Sequence, residues 1–253
     1  MDMLATKTGS LPSARAKQLA VGGFVPFSTL DWPGKFVAVV FVQGCPWRCG
    51  YCHNPHLQQR TAEFPGGWPR IVEMLEKRRG LLDGVVFSGG EPTVDPRLPE
   101  SMSEVRGQGF RVGLHTAGIY PKRLSDVLPL ADWVALDVKA SDANYAGLTG
   151  DPHAARKAAA ARAAVLASGV AFECRTTLHP GLFDRSGLLD LAQRLALEGV
   201  QEYAIQEFRP QGCKETTWHP HATTPNLAGE DWAALQSQIA KLFRRFHWRP
   251  AHG

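Results

Sequence analysis

The chain has 253 residues, 44% of them hydrophobic and 21% charged, with a formal net charge of +4 at pH 7. That balance is ordinary for a folded globular protein and excludes wholesale disorder. The longest unbroken apolar run, 36–42, is seven residues, far short of the roughly 20 that a membrane helix needs, and the scattered basic residues form no patch that would call for nucleic acid. Five cysteines, three of them within eight residues, do not make a secreted disulfide framework. Residues 1–20 hold no continuous apolar leader, so a cytoplasmic, reducing compartment is expected, where such a cluster reads as metal-binding or catalytic.

Residues 1–20 are small and polar without periodicity, which predicts a loose tail ahead of a single domain over 21–253. The β-branched run 36–42 predicts a strand covered on both faces. A helix is expected over 71–79, with Ile71, Met74 and Leu75 on one face. A short strand over 85–88, a helix over 98–107, a strand over 110–115, a short helix over 124–130 and a strand over 133–138 follow. Asp151-Pro152 predicts the start of an alanine-rich helix to Ala167, with Asp as the cap and Pro in the first turn. A strand over 170–178 precedes a helix capped by Asp184, whose stripe is Leu188, Leu189, Leu191, Ala192 and Leu195. After a strand over 201–208, the last helix is expected over 230–246. Its face is Trp232, Leu235, Ile239, Leu242 and Phe246; Glu230 and Asp231 stand at the start and Lys241, Arg244 and Arg245 at the end, as the helix dipole favours. Six strands alternating with six helices imply an α/β fold with a parallel sheet and helical crossovers. Six are too few for a closed eightfold barrel, so a partial, open (β/α)6 barrel fits, with a doubly wound sheet as the competing topology.

Directly after the first predicted strand stands Gln43-Gly44-Cys45-Pro46-Trp47-Arg48-Cys49-Gly50-Tyr51-Cys52-His53-Asn54-Pro55. In a parallel α/β fold this is the carboxyl end of a strand, where sites gather. Gly44, Pro46 and Gly50 keep the loop non-helical. A structural zinc site wants four ligands, and His53 or His56 would have to complete it. A [4Fe–4S] cluster is normally held by four thiolates; three leave one iron open for chemistry.

Other residues carry weaker signals. Gly89 and Gly90, in Ser88-Gly89-Gly90-Glu91-Pro92, permit either a tight turn or close approach of backbone to a ligand. Asp137 and Lys139, two apart, point to one face of a strand, as a cofactor contact or as a surface ion pair. Tyr145-x-x-x-Thr149-Gly150 follows them. Arg175 lies mid-strand, where a charge needs a partner: a ligand carboxylate or a structural salt bridge. His115 ends a strand, either packed or in contact with a ligand. Cys174 reads as a buried small residue. Cys213, His219 and His221 share a loop in which a second metal site is conceivable but has no paired cysteine motif.

The Cys-x3-Cys-x2-Cys spacing, with Tyr51 immediately before the third cysteine, resembles the radical S-adenosylmethionine superfamily. The resemblance implies that Cys45, Cys49 and Cys52 hold a [4Fe–4S] cluster whose open iron takes the amino and carboxylate groups of S-adenosyl-L-methionine. One electron then cleaves the sulfonium and yields a 5′-deoxyadenosyl radical. It implies further that Tyr51 lies near the adenine, that Gly89, Gly90 and Glu91 form the motif receiving the ammonium group, and that Asp137 and Lys139 lie near the cofactor. Arg175 and His115 join them as candidate cofactor contacts. His115 takes the place of an aspartate that helps bind a monovalent cation in the pyruvate formate-lyase activator.

Residues 21–35, Val-Gly-Gly-Phe-Val-Pro-Phe-Ser-Thr-Leu-Asp-Trp-Pro-Gly-Lys, together with the cysteine loop, are similar to the activating proteins of anaerobic ribonucleoside-triphosphate reductase. The implied activity is formation of a glycyl radical on the reductase large subunit, with flavodoxin or ferredoxin as electron donor and neither nucleic acid nor membrane as partner. No cysteine lies between Cys52 and Cys174, so one cluster is expected and no ferredoxin-like insert. The competing readings are an activator of pyruvate formate-lyase, a small-molecule radical enzyme such as 7-carboxy-7-deazaguanine synthase, a zinc-binding interaction module, and an iron–sulfur electron carrier.

Overall fold

A computed structural model describes residues 18–61, 64–179, 181–213 and 230–251. Its centre is one eight-stranded sheet in chain order: β1 (Val21–Ser28), β2 (Val37–Val42), β3 (Gly84–Gly89), β4 (Arg111–Thr116), β5 (Trp133–Asp137), β6 (Ala171–Leu178), β7 (Glu202–Glu207) and β8 (Arg245–Arg249). β1 runs antiparallel to β2, and every later pair is parallel. Between the strands lie α1 (Gly67–Glu76), α2 (Leu98–Gly107), α3 (Pro121–Val127), α4 (Asp142–Thr149), α5 (Ala154–Ser168), α6 (Arg185–Leu197) and α7 (Glu230–Ala240). No pairing among the described residues joins β1 to β8, so the sheet is open, and β2–β7 are the six strands of the expected α/β core.

The period of two along each strand builds two separate packings. Ala38, Val40 and Val42 of β2, Val85 and Phe87 of β3, Val112 and Leu114 of β4 and Val134 and Leu136 of β5 join the main core with the helices. The alternate residues Val37, Val39, Val86, Trp133 and Ala135 form a second cluster with Trp32 on the opposite, inner face of the sheet. Trp32 stacks on Trp133 with ring centroids 5.4 Å apart.

Two strands stand beyond the predicted six. In β1 two glycines and Pro26 disguise the strand as loop. Proline is tolerated because β1 is an edge, and its ladder is shifted between Val25 and Ser28. β8 replaces the end of the predicted last helix: α7 stops at Ala240, not at Phe246. Lys241, Arg244 and Arg245 therefore do not close its dipole, and Arg245 pairs instead with Glu202 of β7. The physical reason is a change of period. Phe246 and Trp248 alternate with Arg245, His247 and Arg249, and Phe246 meets Tyr203 while Trp248 meets Trp232.

Smaller corrections follow. α5 begins at Ala154, and Asp151 is not its cap. α4 was not predicted; it buries Tyr145 and Leu148 and ends on Gly150 at φ +73°. Asp184 does cap α6, accepting the Gly187 N–H at 2.7 Å. The expected tail lies outside the described residues up to position 17, while Leu19 is buried in the core and the Ala20 N–H donates to Asp95 Oδ2.

Candidate active site

The cysteine loop hangs from the end of β2 by its backbone. Gly44 turns the chain at φ +102°. Its N–H donates to the Leu57 carbonyl (2.8 Å), and the Cys45 N–H donates to that of Gln58 (3.1 Å). The turn after β3 presses on the same root. The Gly90 N–H donates to the Val42 carbonyl (3.0 Å) and the Glu91 N–H to the Gly44 carbonyl (2.8 Å). Gly89 sits at φ +123°, where a Cβ would run into the Val42 backbone, and a Cβ on Gly90 would lie 2.6 Å from the Gly44 oxygen. Both positions demand glycine. The Cys52 N–H closes a tight turn onto the Cys49 carbonyl at 3.0 Å.

A cavity of about 760 Å³ opens beside this loop over the carboxyl ends of the parallel strands. The structure brings together on its wall Cys45, Cys49 and Cys52 with Tyr51, Gly89, Gly90, His115, Asp137, Lys139 and Arg175. Glu91 is the one candidate it leaves out. That carboxylate is fully buried and accepts from Thr93 N–H (3.1 Å), Thr93 Oγ1 (2.6 Å), Thr116 Oγ1 (2.7 Å) and Ala117 N–H (2.9 Å). It braces the ends of β3 and β4 behind the wall. Its burial raises the carboxyl above the usual range against these four hydrogen bonds.

Asp137 is the electrostatic centre. Its Oδ2 accepts from Lys139 Nζ at 2.9 Å and its Oδ1 from Arg175 Nη2 at 3.1 Å. Burial opposes ionisation of Asp137, but Lys139 and Arg175 outweigh it and bring the carboxyl down to about 2. Lys139 is in turn held well above its ordinary value: burial disfavours the cation, and Asp137 overrides it. Arg175 makes the salt bridge to Asp137 and also lines the cavity.

His115 Nε2 lies 2.7 Å from the Asp31 carbonyl, and its ring meets Trp133 edge-on. Burial first, and the Arg175 charge second, lower it to about 3, which keeps the imidazole neutral. Tyr51 is buried, nearly parallel to His179, with Lys139 Nζ 5.9 Å from its ring centroid.

Sequence reading missed the far wall. Gln206, Trp248 and Arg249 line the same cavity, and Arg249 Nη2 reaches both oxygens of the buried Glu173 at 2.9 and 3.0 Å. The alternation from Arg245 to Arg249 was the available signal; the helical reading of 230–246 takes its first two residues and stops short of the rest. Leu30 and Asp31, from the segment joining β1 to β2, also line the cavity.

The donor set suits an iron–sulfur cluster. Burial raises the Cys45 and Cys49 thiols, Cys45 to about 12 with the Glu91 charge as the second cause; coordination would remove those protons. Among the described residues, no three His, Cys, Asp or Glu side chains are arranged around one metal-ion position. A cuboid cluster takes one thiolate per iron and so spreads its ligands more widely. Cys174 lies in the main core, as expected. Cys213 is also buried, with its Sγ 3.3 Å from the Gly50 carbonyl. His219 and His221 lie outside the described residues.

The sequence profile of the radical SAM superfamily matches residues 39–192, and the chain belongs to that superfamily. It is therefore an enzyme whose cofactors are a [4Fe–4S] cluster and S-adenosyl-L-methionine. A protein of Methanocaldococcus jannaschii named as a candidate glycyl-radical enzyme activating enzyme is 29% identical over 211 residues, covering 76% of this chain and 80% of its own length. The pyruvate formate-lyase-activating enzyme of Clostridium pasteurianum is 36% identical over 131 residues, 48% of this chain and 53% of that one. Streptococcus suis SuiB, solved with its precursor peptide SuiA, superposes with a TM-score of 0.62 at 12% identity over 83% of this chain and 48% of SuiB. It has also been solved with S-adenosylmethionine, with a TM-score of 0.60 at 11% identity over 82% of this chain and 48% of SuiB. At that identity SuiB speaks for the fold. Among the described residues no helix is long and apolar enough to cross a membrane.

Proposed function

We propose that the chain is an activase that installs a glycyl radical on a partner protein, and that the partner is the large subunit of anaerobic ribonucleoside-triphosphate reductase. The observation that carries this is the placement of residues 21–35. The segment that most resembles the reductase activators delivers Leu30 and Asp31 to the cavity wall and Trp32 to the aromatic cluster beneath it.

In this reading Cys45, Cys49 and Cys52 hold the cluster. Tyr51 and the backbone at Gly89 and Gly90 flank S-adenosylmethionine, with Asp137, Lys139 and Arg175 as a fixed charged wall beside it. Glu91 keeps the glycine turn in place. Neutral His115 lies deeper, tied to the Asp31 carbonyl. Bound there, the two cofactors supply one-electron cleavage of the sulfonium and a hydrogen-atom acceptor for the target glycine Cα. The protein's part is to orient the groups and exclude water. Flavodoxin or ferredoxin is the proposed electron donor.

A protein substrate needs a surface to meet. Phe27, Leu30 and Phe36 are exposed around the β1–β2 segment, Leu30 at 87%, with Phe27 and Phe36 in contact at 5.5 Å. Of these only Leu30 lines the cavity; Phe27 and Phe36 stand at the other end of the β1–β2 pair, beside Ser28 and Val37, and exposed apolar side chains of this kind suit a macromolecular partner. The pyruvate formate-lyase activator is the second reading, favoured by the 36% identity to the Clostridium enzyme.

The test is anaerobic electron paramagnetic resonance on reconstituted, reduced protein mixed with S-adenosylmethionine and the reductase, with 5′-deoxyadenosine assayed in the same tube. A glycyl-radical doublet on the reductase is expected. Cofactor cleavage without the doublet, followed by a doublet on pyruvate formate-lyase, would move the target to the second reading.

A further inference from the structure

Pro46, Trp47 and Arg48 separate the first two cysteines, and two of them are fastened to one place outside the cavity. Trp47 is 1% exposed. Its Nε1–H donates to Oδ2 of Asp151 at 3.0 Å, and its ring meets Tyr145 edge-on at 6.0 Å. The Arg48 N–H donates to the Thr149 carbonyl at 2.9 Å. Thr149 and Asp151 flank Gly150, the left-handed residue that ends α4.

Asp151 is itself immobilised. Oδ2 also accepts from Lys157 Nζ (2.7 Å), and Oδ1 accepts from the His153 N–H (2.9 Å). Thr149 Oγ1 donates to the Tyr145 carbonyl at 2.7 Å, and the Tyr145 hydroxyl accepts from the Lys139 N–H at 2.9 Å. The junction of α4 and α5 thus ties the Cys45–Cys49 span and the Lys139 end of β5 to one small scaffold.

We infer that this junction, with Trp47 and Asp151 as its positioning residues, sets the spacing of the Cys45 and Cys49 thiolates and thereby the retention and potential of the iron–sulfur cluster. The inference rests on the reading that the three cysteines hold that cluster. The loop has no regular secondary structure, so tertiary contacts must fix its shape. The Trp47–Asp151 bond is charge-assisted, the stronger kind, and it is half-buried, with the indole fully inside and the carboxylate partly exposed. Groups that hold metal ligands commonly change metal affinity 10- to 100-fold when removed, and hydrogen bonding and solvent exclusion near a cluster set its potential.

The test uses the full chain reconstituted anaerobically. Trp47→Phe keeps an aromatic side chain at the buried position but removes the N–H together with the pyrrole part of the indole. Asp151→Ala removes the acceptor, and Asp151→Asn keeps an acceptor oxygen without the charge. Trp47→Phe and Asp151→Ala are each expected to release iron to a chelator about tenfold faster, with a shifted midpoint potential and altered g-values of the reduced cluster. The double variant should be no worse than the worse single, because both remove one bond, and Asp151→Asn should fall between parent and Asp151→Ala. Parent-like release, potential and spectra in these variants, or additive effects in the double, would overturn the inference. If Asp151→Ala fails to fold, Trp47→Phe and Asp151→Asn give the same readouts. Cys49→Ala separates the two levels: a retained cluster there would sink the ligand reading itself, whereas loss there with parent-like Trp47→Phe sinks only the positioning role.

Discussion

The inner face of the sheet has two ends with opposite characters, although the same strands build both. At the lower end Trp32, Val37, Val86 and Trp133 pack as an apolar floor. A few residues further along the same strands, Ser88, His115, Asp137 and Arg175 line an open cavity. On β5 the change takes four residues, from Trp133 through Ala135 to Asp137. The floor is stabilised by burial alone. The upper end is held by compensation: Asp137 answers Lys139 and Arg175, Glu173 answers Arg249, and Glu91 collects four donors. Stability and chemistry are thus stacked along one set of strands, and each should be removable without the other.

Cys49→Ala should separate them most completely. It is expected to abolish cluster assembly and 5′-deoxyadenosine production while the apo protein unfolds at the parental temperature; retained deoxyadenosine would break the assignment. Trp133→Ala is the converse. Removing a buried indole from the floor should cost about 3–5 kcal/mol in urea unfolding, with iron stoichiometry per folded molecule unchanged. A loss of iron in parallel would show that the floor shapes the site.

Asp137→Asn should act on both ends, more weakly. It leaves Lys139 and Arg175 without their shared anion. Because the Asp137 side chain is 30% exposed, the cost is about 2 kcal/mol, below that of a fully buried pair. The linkage sign is that of a depressed carboxyl: the contribution is present above the ordinary value of 3.8 and fades as pH falls towards about 2. Acid unfolding of Asp137→Asn should therefore show a shallower loss in that window.

His115 gives the smallest effect at neutral pH. Its folded value of about 3 lies below the ordinary 6.5, so between these values the unfolded chain binds the extra proton, and stability falls as pH falls. The slope is at most about 1.4 kcal/mol per pH unit. Unfolding at pH 7, 6 and 5 should show His115→Gln losing this slope, with little change at pH 7. An unchanged slope would mean that His115 is not held neutral.

Much of this was legible in the chain. The runs at 36–42 and 133–136 marked strands because β-branched and apolar residues are continuous where both faces are covered. The three cysteines, the glycine pair and the Asp137–Lys139 step declared themselves by spacing, since short separations on a loop or a strand end fix which atoms meet. What the sequence could not supply was everything decided across the fold. Pro26 and two glycines hid β1, and a run of plausible helical residues hid β8, because edge strands are selected by their neighbour and not by propensity. Glu91 looked like part of a ligand motif, but its partners Thr116 and Ala117 come from the next strand, and they turned it away from the cavity. Trp47 carries no signal of its own in the sequence; its acceptor Asp151 lies 104 residues away. Local spacing by itself determined the chemistry on offer. Only long-range packing, where a buried polar group must find a partner, decided which residues face the cavity and which hold it in shape.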